Sequence, residues 1–215
     1  MRLTKFEHAS FVLSSEEAAI AVDMGAYVSE SSWAQLPSIQ ATLVSHIHGD
    51  HFSEPNLQRM NVPVYTVAQV AQAVTDQNIQ LETHAEGEEV TITGTPFTVT
   101  FTPSDHGPYA TQPLENVGFL IEAEGKTLYF LGDMYNGAAP LDKPFDVLLI
   151  PVGNNNYTFG PQEAADYVQS LGWNGLTIPV HYDGQLDPAT AQQFKDLASS
   201  FCKVQILATS ESLDF

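Results

Sequence analysis

Six consecutive residues concentrate the chemistry of this chain: His46-Ile47-His48-Gly49-Asp50-His51. Three imidazoles and a carboxylate placed directly behind an apolar run are costly to bury without a partner. A metal ion is the partner that suits them, since histidine is a common zinc ligand and mixed nitrogen and oxygen ligation fits Zn, Mn or Fe. His46 and His48 lie two residues apart, so on an extended or looped backbone they point the same way. Asp50 and His51 then face a second position. Four donors divided in this manner close neither position, so further ligands must come from later in the chain. His106 follows the predicted strand Phe97 to Phe101, Asp133 ends Thr127 to Leu131, and His181 ends Leu176 to Val180. Strand ends that converge on one rim of a sheet are where α/β folds place sites. Any one of these residues alone reads as an ordinary polar strand terminus; together with the His46 cluster they form a set.

The remaining pattern supplies the elements that must hold this set. Phe11-Val12-Leu13 and Ala18 to Val22 are short apolar runs on either side of Ser14-Ser15-Glu16-Glu17, the pattern of a hairpin. Ala41 to Ser45 reads as a buried strand running into His46. Helical periodicity covers Glu54 to Met60 and Val67 to Asp76, with strand Val64 to Thr66 between them. Strands are predicted over Val90 to Thr93, Phe97 to Phe101, Val117 to Ile121 and Thr127 to Leu131, the last two joined by a turn at Glu124-Gly125-Lys126. The final third alternates strand Val147 to Pro151, helix Pro161 to Leu171, strand Leu176 to Val180, helix Pro188 to Ser199 and strand Val204 to Leu207. Pro161 and Pro188 sit where a first helical turn tolerates proline. Strand runs giving way to β-α alternation predict sheets flanked by helices.

Composition bounds the function. At 215 residues the chain fits a single domain, 1–215, and its 43% hydrophobic content suffices for a sizeable core. Seven Lys and Arg against 26 Asp and Glu leave a net charge of -19, a surface that repels nucleic acid and anionic membranes. Cys202 is the only cysteine, so no intrachain disulfide forms, and it reads as a core residue. Met1 to Phe11 holds no apolar h-region, and no stretch approaches the roughly 18 apolar residues of a membrane span. The expected setting is cytoplasmic, with a small-molecule partner; homo-oligomer formation is left open.

The H-x-H-x-D-H loop followed by a lone His, a Gly-Asp and a final His resembles the signature of the metallo-β-lactamase superfamily. Further likeness to its small ascorbate-phosphate-lactonase-like branch of metal-dependent hydrolases comes from Glu7-His8-Ala9-Ser10, from the loop Pro151 to Pro161, and from Pro179-Val180-His181-Tyr182. The resemblance covers nearly the whole chain. It implies a four-layer αβ/βα sandwich of two mixed β-sheets flanked by helices, with the site at one edge. It implies two divalent metal ions, zinc before manganese or iron. His46, His48 and His106 would hold one, Asp50, His51 and His181 the other, and Asp133 would bridge. Asp23 resembles the family's acidic residue that steadies a ligand histidine, with a plain turn aspartate as the alternative. Glu7 departs from the family's glycine, which leaves the role of His8 open.

The expected reaction is hydrolysis of a small ester, lactone or phosphodiester by a metal-bridging hydroxide. There is no G-x-S-x-G elbow, and no side-chain nucleophile is required. Asp50 and His8 are the candidate catalytic side chains, His8 as a substrate contact or proton donor or else a structural histidine. Asn154, Asn155, Asn156 and Tyr157 are candidate substrate contacts, with turn chemistry as the alternative. Tyr182, Tyr109 and Tyr135 are candidate pocket walls, Trp33 and Trp173 packing residues, and His84 a surface residue. The alternatives are a nuclease of the same superfamily, a di-iron redox protein, and a metal-binding protein without turnover.

Overall fold

The computed structural model describes residues 1–108, 114–137, 143–153, 156–183 and 186–215. The first sheet contains β1 (Arg2–Lys5), β2 (Phe11–Ser14), β3 (Ala19–Val22), β4 (Ala41–Val44), β5 (Val64–Thr66) and β6 (Leu81–Thr83), with helices α1 (Glu30–Trp33), α2 (Glu54–Met60) and α3 (Ala68–Ala73) interspersed. The second contains β7 (Glu89–Thr91), β8 (Thr98–Pro103), β9 (Val117–Ala123), β10 (Lys126–Phe130), β11 (Val147–Pro151), β12 (Leu176–Val180) and β13 (Lys203–Val204), with α4 (Pro161–Ser170) and α5 (Ala189–Ala198). The terminal strand β14 (Ser212–Asp214) returns to pair with β1. The orders are β14-β1-β2-β3-β4-β5-β6 and β13-β12-β11-β10-β9-β8-β7. Each sheet is mixed: β14 to β3 and β7 to β10 pair antiparallel, while β3 to β6 and β10 to β13 pair parallel.

The two-residue period of a strand sorts the core into layers. Phe11, Leu13, Ile20 and Val22 face Leu128, Phe130, Val147 and Leu149 in the seam between the sheets. Phe11 and Phe130 meet across it edge to face at 5.3 Å. The alternate residues Val12, Ala19 and Ala21 pack outward with Met24, Val28 and Trp33. On the far side Tyr129, Leu148 and Ile150 pack against Ala164 and Val168 of α4 and Phe194 of α5. The result is the expected helix, sheet, sheet, helix sandwich.

Several sequence expectations shift at element ends. The helix expected over Val67 to Asp76 stops at Ala73, where Glu54 Oε1 accepts the amides of Thr75 and Asp76 that a longer helix would turn inward. The strand expected over Val204 to Leu207 contracts to Lys203–Val204 at the sheet edge. β6, β14 and the one-turn α1 escaped the apolar pattern because they are short and largely exposed. In α1 the helix is held by its N-cap, where Ser29 accepts from the Ser32 amide.

Pairing directions decide where the chemistry gathers. β1, β3 and β4 run in one sense, and so do β8, β10 and β12, so the C-terminal ends within each sheet open on one edge. Ala26 N donates to Gly49 O at 2.7 Å, which lays the loop after β3 against the histidine-rich loop after β4. Gly25 makes that approach feasible, for a Cβ there would lie 2.0 Å from Asp50 O and 2.5 Å from His51 N. Gly25→Ala is expected to cost about 1–3 kcal/mol by overpacking. Thermal unfolding should register this as a drop of about 2–4 °C per kcal/mol; an unchanged melting temperature would refute the close contact.

Candidate metal centre

Among the described residues, eight donor side chains meet at this edge in two groups. His46, His48, His106 and Asp133 form one and His8, Asp50, His51 and His181 the other, the ligand atoms of each lying within 4.8 Å of one another. Six of the seven histidines are therefore gathered here. Asp133 belongs to both neighbourhoods: its Oδ1 lies 3.2 Å from His51 Nε2, and its Oδ2 lies 3.1 Å from His181 Nε2 and 3.4 Å from His106 Nε2. His84 stays apart, half-buried between Glu82 and Glu88 and stacked on Tyr65. That corrects its expected place on the surface, because its ring also packs on Phe101.

The backbone is bent to bring these groups in. His8, Asp23, Asn156 and His181 all adopt positive φ, between 49° and 62°, a region that residues other than glycine seldom occupy. The turn at His8 is closed by Phe6 N to Ser10 O and Ser10 N to Glu7 O. Glu7 itself keeps an ordinary φ, so glycine is not needed at this position, and its Oε1 accepts from Ser32 Oγ at 2.8 Å. His181 N donates to His8 O, which ties the end of β12 to the turn after β1 across the seam. The His8 amide also donates to the Asp183 carboxylate, whose other oxygen lies 2.6 Å from the buried Lys5 Nζ.

Asp23 anchors the histidine-rich loop. Fully buried, it accepts from Ser45 N at 2.7 Å and from Ser45 Oγ at 2.6 Å, and its Oδ2 lies 2.7 Å from His51 Nδ1. His51 thereby presents Nε2 to Asp133. Because Ser45 spends its only hydroxyl proton on Asp23, its oxygen accepts from His46 Nδ1–H at 2.9 Å. The His46 Nε2 lone pair is thus left facing the cluster. Asn116 supports the opposite wall, donating from Nδ2 to Ser104 O, Ser104 Oγ and Asp133 O.

Several buried atoms here, His51 Nε2, both nitrogens of His106 and of His181, and Asp133 Oδ1, have no hydrogen-bond partner among the described residues. Buried polar atoms are normally satisfied, so the orphaned set fits cation ligation. Its nitrogen-rich, two-carboxylate composition fits borderline transition ions. The charge pattern agrees. Burial, then the neighbouring His51, hold the His46 imidazole well below its usual range. His48 is lowered by burial and His106, and His8 by burial and His181. Burial opposes protonation of His51 and His181 as well, but Asp133 and Asp50 outweigh it, raising His51 and pushing His181 up to about 9. Burial would raise the two carboxylates, yet the surrounding imidazoles hold both below the usual range.

An open cleft of ≈ 330 Å³ gives access, lined by Tyr27, His48, Gly49, Asp50, Asp133, Tyr157 and His181. A larger cavity of ≈ 590 Å³ lies by Val67, His84, Glu115 and Asn116, and no candidate ligand lines it.

A family model described as a beta-lactamase superfamily domain matches residues 2–181. The chain belongs to the metallo-β-lactamase superfamily. A UPF0173 metal-dependent hydrolase of Carboxydothermus hydrogenoformans is 31% identical, with 85% of this chain and 85% of the relative covered. Another from Pyrococcus furiosus is 29% identical, covering 100% of this chain and 99% of its own. Among solved structures, the metallo hydrolase Igni18 of Ignicoccus hospitalis aligns with a TM-score of 0.81 at 20% identity, over 100% of this chain and 98% of that one. The metallo-β-lactamase fold protein YhfI of Bacillus subtilis gives 0.77 at 18%, with 99% of each covered. Within the superfamily this chain is a metal-dependent hydrolase.

Against the sequence expectations for this superfamily member, the structure brings His46, His48, Asp50, His51, His106, Asp133 and His181 together. It adds His8 to the second group, with Nε2 2.9 Å from Asp50 Oδ2 and its ring 3.8 Å from that of His181. Tyr157 lines the cleft, and the preceding Asn156 is exposed. Asn154, Asn155 and Tyr109 lie outside the described residues. Tyr182 is not a wall: it is buried, donates to Leu207 O and lies under Lys5. Tyr135 does not line the cleft either; its amide is engaged by Asp105 O. Trp33 and Trp173 pack as expected, against Arg59 and Phe145. Sequence reasoning missed Lys5, Tyr27, Ser45, Asn116 and Asp183. Only Lys5 left a signal, as a cation on the inward-facing parity of β1 with Leu3.

Asp23→Ala would strip the acceptor from three buried donors. The expected loss of stability is on the order of 3–5 kcal/mol, as for breaking a buried charged pair. Urea unfolding should show a lower midpoint at unchanged slope; a midpoint equal to the parent's would mean the loop is held by something else.

Proposed function

We propose that the chain is a dinuclear metal-dependent hydrolase of a small ester, lactone or phosphodiester. The observation that carries this reading is Asp133, a buried carboxylate whose two oxygens each face imidazole nitrogens left without hydrogen-bond partners. His46, His48 and His106 would hold one ion, Asp50, His51 and His181 the other, and Asp133 both. Zinc suits this donor set first, with manganese or iron compatible. When bound, such a pair supplies Lewis acidity toward a carbonyl or phosphoryl oxygen and water acidified to near neutral pH.

The chain's own residues provide orientation and proton handling. Asp23 fixes the His51 ring through Nδ1, and Ser45 fixes that of His46, the kind of outer contact that sets ligand tautomers. His8 Nε2 holds Asp50 Oδ2 and sits beside the cleft, in position to steady that carboxylate and to pass a proton at its edge. Tyr157, which lines the cleft, and the exposed Asn156 before it would serve as substrate contacts. The intended substrate is a small molecule, and the net charge of -19 disfavours a nucleic acid. The working setting is the cytoplasm; no helix among the described residues is long and apolar enough to cross a membrane.

Metal analysis of protein purified without added metal should find about two ions per chain, the number a two-metal site requires. Asp133→Ala should reduce this to at most one and abolish ester and lactone turnover; full loading and activity in that variant would sink the dinuclear reading. Proton linkage gives a separate check. His181, raised to about 9, and His51, also raised, both carry protons in the metal-free chain at neutral pH and must lose them to ligate. Calorimetric metal titrations at neutral pH should therefore show proton release, with binding enthalpy varying between buffers of different ionisation enthalpy. Buffer-independent enthalpies would contradict ligation by these two rings.

A further inference from the structure

The walls of the cleft decide what it accepts besides the reacting bond. Of the seven described residues lining it, His48, Asp50, Asp133 and His181 belong to the two donor groups, and Tyr27, Gly49 and Tyr157 are the described lining residues outside those groups that can meet the rest of a substrate. Both tyrosines are 37% exposed, and Leu197 is the only other large apolar side chain so exposed among the described residues. Leu197 lies on α5 and does not line the cleft. The two exposed rings are braced against different donor groups, Tyr27 edge-on to His8 at 5.2 Å and Tyr157 edge-on to His106 at 5.8 Å and His48 at 6.3 Å. A partly exposed tyrosine in a concave site offers a flat apolar face with a polar tip.

Charge narrows the choice. The chain has seven Lys and Arg residues, all of them among the described residues, and none lines the cleft. Arg2, Arg59, Lys126 and Lys143 are engaged by acidic partners elsewhere. Lys5 is buried against Asp183, while Lys195 and Lys203 belong to α5 and β13. An anionic group remote from the reacting bond would therefore find no fixed counter-charge there, on a protein whose net charge is -19.

We propose that Tyr27 and Tyr157 are specificity-determining residues, holding a flat, uncharged group of the substrate next to its scissile bond, and that the site discriminates against an anion at that end. This rests on the hydrolase reading for its chemistry, but binding alone can test it. The probes are hydroxamates, which share one metal-binding anchor: acetohydroxamate, para-methylbenzohydroxamate and its para-carboxymethyl counterpart. Calorimetry on the metal-loaded protein should show the neutral aromatic probe binding at least about tenfold more tightly than the anionic one. Tyr27→Ala and Tyr157→Ala should each weaken the neutral aromatic probe by about fivefold relative to acetohydroxamate, an effect of the size expected for one aromatic contact. Tyr27→Phe, which keeps the ring face, should retain the affinity. Gly49→Lys should narrow or reverse the preference in a salt-sensitive way, since a Cβ at Gly49 meets nothing within 4 Å.

Equal or tighter binding of the anionic probe by the parent protein would overturn the proposal, as would tyrosine variants that leave the aromatic preference intact. Turnover assays of neutral esters and lactones, and of phosphodiesters, separate this from the hydrolase reading. If acetohydroxamate binds but no ester, lactone or phosphodiester is cleaved, the hydrolytic assignment fails, while the ratio between the two aromatic probes still decides the role of the tyrosines.

Discussion

A negative charge buried at Asp133 is the constraint around which this edge of the molecule is organised. A carboxylate that is 2% exposed persists only where positive charge or donors answer it. Here the answer comes from His51, His106 and His181, carried on three separate segments, with His46 slightly farther off at 3.8 Å. In the metal-free chain, protons on His51 and His181 balance Asp50 and Asp133 within one compact network. A divalent cation performs the same balancing with higher charge density, which is why the group suits a cation once protons leave.

Orienting these donors requires a rigid surround, and its parts differ in kind. Asp23 and Ser45 act as a hydrogen-bonded hub inside the first sheet, fixing His46 and His51 from behind. Lys5 and Asp183 form a second hub whose members come from β1 and from the loop after β12, holding the His8 turn in its left-handed conformation. Asn116 forms a third, gripping the Asp133 backbone from β8 and β9 connections. All three are short-range polar devices inside an otherwise apolar sandwich.

Much of this arrangement was legible in the sequence, for definite reasons. Strands such as Ala19–Val22 and Val147–Pro151 are continuous apolar runs because both faces are covered, and runs of that kind stand out. The gathering of the seven candidate ligands was legible because imidazoles and carboxylates clustered at the ends of such runs are costly to bury unless a cation meets them. His8 joining Asp50 and His181 was out of reach, since it depends on a left-handed turn and on a backbone hydrogen bond between residues far apart in the chain, His181 N to His8 O. Lys5 with Asp183 and Asn116 with Asp133 were hidden likewise: these are common residue types whose importance arises only from long-range contacts. Tyr182 was misplaced because a neighbour of His181 in the chain need not be its neighbour in the cleft, and its side chain turns into the core.

The mirrored build of the two sheets, three antiparallel pairings followed by three parallel ones in each, gives the site a divided ownership. His8, His46, His48, Asp50 and His51 come from the first sheet's connections, and His106, Asp133 and His181 from the second's. Each donor group draws on both. A cation seated there therefore acts as a clasp across the hydrophobic seam, and any affinity it has for the assembled edge adds to the cohesion of the two halves by mass action. Docking of one half on the other and binding of the cation are thus linked equilibria, each favouring the other.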